Sequence, residues 1–198
     1  SVNARKGGNV SPIPADHSQN LTGIWPKKVV NYKTVMSDAA SGFTSVTYPF
    51  PVIRMADLYL MYAEALNEKG EDYATVLPWI DMVRERSGLQ GVKESWDQYV
   101  GNSKYATQTG LRQIIMQERR IELAFEGHYF WDVRRWKTAT TELTQPLTGW
   151  KVRYGETDVD YYSENLVLVR DFTPKMYFWP IDIGELRKDP NLVQNYGW

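Results

Sequence analysis

The chain has 198 residues, 42% of them hydrophobic, with 8 Trp, 13 Tyr and 6 Phe, and its 23 basic side chains nearly balance 24 acidic ones. That is enough apolar chain for one packed domain and excludes a disordered or collagen-like protein, while a net charge of −1 leaves no electrostatic footprint for nucleic acid or an anionic membrane. Zero cysteines exclude thiol catalysis, thiolate metal sites and disulfides together.

Residues 1–53 are rich in Gly, Ser, Asn, Pro and Thr, with short β-leaning pieces at 25–35 and 43–48, and read as a loop and strand lead-in. The start, Ser1 to Gly8, has neither Met nor an apolar signal core, so the chain is expected to be a fragment or a processed product. No stretch approaches the ~18 consecutive apolar residues of a membrane span.

A helical period then begins. Met55, Leu58, Tyr59, Tyr62, Ala63 and Leu66 recur at helical spacing up to Gly70. A second helix is expected from Thr75 as cap, with Pro78 in its first turn, to a stop at Gly88. The pair, 54–88, occupies about 34 residues, the length of a tetratricopeptide unit. Residues 89–110 are polar and read as a long loop. A second pair follows over 111–137: Leu111, Ile114, Ile115, Ile121, Ala124 and Phe125 form one stripe, Gly127 breaks it, and Phe130, Val133 and Trp136 face inward on the next helix. Solenoids of such units need about three to bury a continuous core, and two are visible.

Residues 138–198 read as loop, short strands at 166–169 and 176–181, and a terminal helix opened by Asp182 with Glu185 and ended by Asp189 and Pro190. The fold class is mainly α: tetratricopeptide-like helix hairpins with loop-rich excursions and a few short β-strands.

The densest charge cluster runs from Glu118 to Arg135. Glu122 and Glu126 are one helical turn apart, roughly 6 Å between Cβ atoms, which overlaps glycosidase spacing, but they project from one face and cannot flank a scissile bond. The arginines are expected to bridge carboxylates between the two helices of the hairpin. His128 and Asp132 would need further ligands from carboxylates alone, so no metal is expected. No phosphate loop, GxSxG or HExxH occurs. Tyr59, Tyr62, Phe125, Phe130 and Trp136 fall on helical stripes and are expected in the core. Trp96, Tyr99, Tyr105, Trp150, Tyr154, Tyr161 and Tyr162 fall in polar loops, where an exposed ring with a hydrogen-bonding edge suits the apolar face of a sugar.

Four segments resemble the C-terminal portion of the RagB/SusD family, the outer-membrane nutrient-binding lipoproteins of Bacteroidetes: RMADLYLMYAEALNEKG (54–70), IDMVRERSGL (80–89), ERRIELAFEGHYFWDVRRWK (118–137) and WPIDIGELRKDPNLVQNYGW (179–198). His128 stands where the family usually has Arg, and Tyr196 where its ending has Pro. The resemblance implies that residues 1–198 are the C-terminal part of a longer protein, anchored by a lipidated N-terminal cysteine at the cell outer membrane. It implies non-catalytic capture of an oligosaccharide, or in some members a peptide, for import by a SusC-like TonB-dependent transporter, with no cofactor. Neither nucleic acid nor direct membrane insertion is expected. The alternatives are a peptide-binding tetratricopeptide-like scaffold and, more remotely, a glycoside hydrolase. The expected ligand contacts are Trp150 and Tyr154, flanked by Gly149 and Gly155, with Trp96 and Tyr99 as second choice.

Overall fold

A computed structural model describes residues 26–28, 30–36, 43–151 and 157–198. The chain divides into two compact units, one of Lys27–Tyr129 and one of Ser1–Pro26 with Phe130–Trp198. The architecture is mainly α.

The first unit opens with two short antiparallel strands, β1 (Val35–Met36) and β2 (Phe43–Thr44). Helix α1 (Met55–Lys69) follows, and Gly70, at φ 88°, closes it: its N–H donates to Asn67 O, and that of Glu71 donates to Leu66 O. Only a residue that tolerates the left-handed region ends a helix this way without strain. Helix α2 (Tyr73–Arg86) is capped by Asp72, which accepts from the Ala74 N–H at 2.8 Å, and not by Thr75. The earlier start puts Pro78 in the second turn. The hydrogen bond it forfeits to the Ala74 carbonyl falls on the exposed side of the helix.

The burial of α1 corrects the expected stripe in part: Tyr59, Ala63 and Leu66 do lie at the core. Ala56, Leu60 and Ala63 are buried, whereas Met55, Leu58 and Tyr62 are exposed. This helix packs against both α2 and α4 (Gln108–Glu122), and the two alanines let those neighbours approach closely. Leu60, Val76, Ile80, Val83, Val92, Leu111 and Ile115 fill the core, with Tyr59 and Trp79 at its margin. The buried Asn67 amide donates to Gln108 O at 3.1 Å, and the Gln108 amide returns a bond to Asn67 O at 2.7 Å. The end of α1 is thereby fixed to the start of α4.

Residues 89–110 are largely helical, contrary to the loop expected. Val92 is fully buried and donates its N–H to Asp81 at 2.7 Å, which starts α3 (Val92–Ser95). A π-turn (Trp96–Val100) and a 3-10 turn (Lys104–Ala106) continue it. Tyr105 is buried and donates to Asp97 at 2.8 Å. A side chain at Gly110 would meet the Lys104 carbonyl at 2.1 Å, so α4 can start beneath that turn only with glycine there. Polar residues thus supply caps and inward hydrogen bonds here instead of a solvated loop.

Beyond α4, Phe125 sits at φ 65° and is 65% exposed, so it does not belong to the core. Helix α5 (His128–Arg135) buries Asp132 and Val133 but leaves Phe130 exposed.

The second unit contains α6 (Ala139–Glu142), β3 (Leu147–Trp150), α7 (Asp158–Tyr161), β4 (Glu164–Leu168), a 3-10 turn (Pro174–Tyr177) and α8 (Ile183–Lys188). Strands β3 and β4 pair antiparallel, with a register shift between Leu147 and Thr148. The strand expected at 176–181 does not form. Pro174 opens the turn instead, and Pro180 lacks the N–H a ladder would need. Gln194 takes over that role, accepting from the Ile181 N–H at 2.8 Å and donating to its carbonyl at 2.9 Å. Asn195 donates to Trp179 O, and the Trp198 indole to Lys175 O and Phe178 O. The terminal Gln-Asn segment therefore replaces a strand partner. Asp182 caps α8 through the Gly184 N–H, as expected.

Candidate functional site

The β3–β4 hairpin carries an open aromatic surface at one of the expected contacts, Trp150. Trp150 and Glu164 are Cα partners across the two strands. Residues directly opposed in this way project from the same face of a sheet, with Cβ atoms about 5 Å apart. The Trp150 ring meets Tyr162 edge-on, with centroids 5.6 Å apart and planes at 81°, and Tyr162 in turn meets Tyr161 at 5.0 Å and 89°. Tyr161 is buried, and burial, followed by the neighbouring Tyr162, pushes its hydroxyl above the ordinary tyrosine range. It anchors the group from below. Trp150 and Tyr162 remain 37% and 63% exposed.

The backbone holds these rings in place. The Lys151 N–H donates to Tyr161 O at 3.0 Å, tying the end of β3 to α7. Thr157 caps α7 by accepting from the Asp160 N–H and donates its own hydroxyl to the Asp160 carboxylate at 2.7 Å. The exposed Glu164 carboxylate makes no hydrogen bond or ion pair among the described residues. A flat ring, a second ring at right angles and an unengaged carboxylate on one face can stack on an apolar sugar face and accept its hydroxyls.

Of the four residues expected as contacts, Trp150 lies in this group, and Tyr154 falls outside the described residues. Trp96 and Tyr99 belong to the other unit. Trp96 packs against the core, with the Lys104 ammonium 5.5 Å from its ring centre, and Tyr99, 72% exposed, rides on the π-turn. Tyr105 and Tyr161 anchor their own segments. In sequence Tyr162 is one of seven aromatics in polar stretches, and no local signal marks Glu164. Finding either requires the strand register, which opposes Glu164 to Trp150 across thirteen intervening residues.

The acidic residues of the charge cluster are engaged structurally. Arg54, just before α1, donates through Nε and Nη2 to Glu126 at 2.9 and 2.7 Å and through Nη1 to Glu122 at 2.8 Å. Lys28 pairs with Glu126, and Arg86 with Glu122. Hydrogen bonding to Glu126 holds the Arg54 guanidinium above its ordinary range. Burial pushes the Glu126 carboxyl up, but the bonds from Arg54 and Lys28 outweigh it and hold it low. Arg119 pairs with Asp57 of α1 and Arg84 with Glu118. The bridges thus reach α1, α2 and the segment before α1, beyond the last hairpin to which the arginines were expected to be confined, while Arg120 lies 4.8 Å over the Tyr129 ring within it. Arg134 lies over the Phe130 ring at 3.5 Å and donates to Phe130 O, and Arg135 pairs with Asp132 three residues back. Among the described residues no group of three His, Asp or Glu side chains could hold a metal ion, and no helix is long and apolar enough to cross a membrane.

The model of the SusD family matches residues 7–198. SusD-like protein P25 of Formosa agariphila is 39% identical over 144 residues, covering 73% of this chain and 23% of its own. SusD-like protein P2 of the same organism is 37% identical over 133 residues, covering 67% and 26%. Among solved structures, selenomethionine BT4246 superposes with a TM-score of 0.78 at 26% identity, over 94% of this chain and 31% of that one. A SusD-like protein (BF3747) from Bacteroides fragilis gives 0.69 at 28% identity, over 94% and 32%. The chain spans about a quarter of the length of these curated relatives. With its helix pairs and its terminal segment both matched by that model, the chain belongs to the SusD family.

Proposed function

We propose that the protein captures an extracellular glycan, without catalysis, at the outer-membrane surface and hands it to a SusC-like TonB-dependent transporter, residues 1–198 being the C-terminal part of a SusD-like domain. Family membership supports this reading. The observation that carries it in this chain is the exposed Trp150–Tyr162 pair, braced from beneath by Tyr161. Stacking of a sugar on one such ring contributes about 1 kcal/mol, so the affinity comes from several contacts.

Absence of catalysis is part of the proposal. Glu122 and Glu126, the one carboxylate pair at glycosidase spacing singled out in sequence, both turn toward Arg54. A glycan-array screen of the full-length protein, followed by calorimetry on the hits, tests the function. Saccharide binding without release of reducing ends is expected. Hydrolysis lost on Glu122→Gln would overturn it.

A second reading, a peptide-binding scaffold, draws on the exposed apolar side of α1 formed by Met55, Leu58, Met61 and Tyr62. It predicts indifference to every saccharide on the array.

A further inference from the structure

We infer that the hairpin site selects its ligand by charge: the sugar residue stacked on Trp150 is uncharged or carries an amino group, and uronic or sulfated residues are disfavoured there. This rests on the glycan reading and goes beyond it to the class of glycan.

Three observations combine. First, the Trp150↔Glu164 register places a carboxylate on the same face as the indole, at a separation of about 5 Å between Cβ atoms. A sugar stacked on that ring has its equatorial substituents at the ring's rim, within reach of this carboxylate. Second, Glu164 is exposed and has no cation or donor of its own among the described residues. Its negative charge and acceptor oxygens are therefore offered outward, which suits hydroxyl or ammonium donors and opposes a carboxylate or sulfate. Third, the surroundings do not reverse the sign. From 147 to 168 the sequence carries Lys151 and Arg153 against Glu156, Asp158, Asp160 and Glu164. Anionic glycans are ordinarily gripped by arginine or lysine forks. At the described part of this hairpin only Lys151 is cationic, against the acidic Asp158, Asp160 and Glu164.

The perpendicular rings add a limit on shape. With their planes at 81°, Trp150 and Tyr162 cannot both stack on one flat saccharide ribbon. A single residue stacks on Trp150, and Tyr162 meets its flank, which makes the charge of that one residue decisive.

The test uses matched pairs on the array: galacto-oligosaccharides against oligogalacturonates, and manno-oligosaccharides against oligomannuronates, each titrated into wild-type protein, Trp150→Ala, Glu164→Gln and Glu164→Lys. Wild type should prefer the neutral member of whichever pair binds by about fourfold or more at low salt, the repulsion of two unit charges ~5 Å apart in water. The preference should shrink in high salt, collapse in Glu164→Gln and invert in Glu164→Lys, and both members should weaken in Trp150→Ala. A wild-type preference for the uronates, or a ratio unmoved by the Glu164 variants, overturns the charge selection while leaving glycan capture at Trp150 intact. If no member of either pair depends on Trp150, the glycan assignment of this site falls, and the charge selection with it.

Discussion

The Arg119 guanidinium donates to the Asp57 carboxylate at 2.9 Å, joining α4 to the first turn of α1 with the arginine side chain only 3% exposed. A charge so enclosed is stabilising only while its partner remains, because desolvation has already been incurred. Asp57→Ala should therefore lower stability by roughly 3 kcal/mol. Thermal melting of the variant checks this, and an unchanged midpoint would show that Arg119 does not need Asp57.

Arg134 should behave differently from the expectation formed on sequence. It pairs with no carboxylate among the described residues, lying instead over Phe130 at 3.5 Å and 5.1 Å from the Phe172 ring centre. Cation–π contacts of this kind are worth about 1 kcal/mol. Arg134→Ala should cost about that much, and Arg134→Lys less. A loss near 3 kcal/mol, the scale of a broken buried ion pair, would contradict the assignment.

Acid should weaken the Arg54–Glu126 junction. Burial raises the Glu126 carboxyl, but Arg54 and Lys28 more than offset it, so its folded-state pKa lies below the unfolded one. The stability it contributes is complete above the unfolded pKa and is lost as pH falls through the folded value. Glu68, held low by Arg112, and Asp97, held low by Lys93 and then Tyr105, have the same sign. Asp81 is pushed up by burial against the Val92 N–H and opposes them, its contribution being lost as pH rises through its folded value. Melting temperature should fall between about pH 5 and pH 3, and Glu126→Gln should flatten that fall. An identical acid slope in the variant would remove Glu126 from the account.

Helices α1, α2 and α4 were legible because periodicity and the stop glycines Gly70 and Gly88 are local signals. The buried side of α1 was legible only in part, at Tyr59, Ala63 and Leu66. Met55, Leu58 and Tyr62 outweigh Ala56 in any hydrophobic count, yet it is the small residue that lets a neighbouring helix approach. The turns between 92 and 106 were hidden for a related reason. Their stability comes from Asp81, Asp97 and Val92 meeting partners across the chain, and polar composition alone reads as loop. At the site, Trp150 was legible as an aromatic in a polar stretch. Glu164 became meaningful only through the register that sets it beside the ring.

Glycan capture through the hairpin is tested most directly by Trp150→Ala, measured for both melting temperature and affinity toward the best saccharide found on the array. Losing one stacking contact of about 1 kcal/mol should weaken binding roughly fivefold, with the melting temperature close to wild type because the ring is partly open to solvent. A lowered melting temperature with unchanged affinity per folded molecule would contradict the account, leaving Trp150 as a brace for Tyr162 and no more.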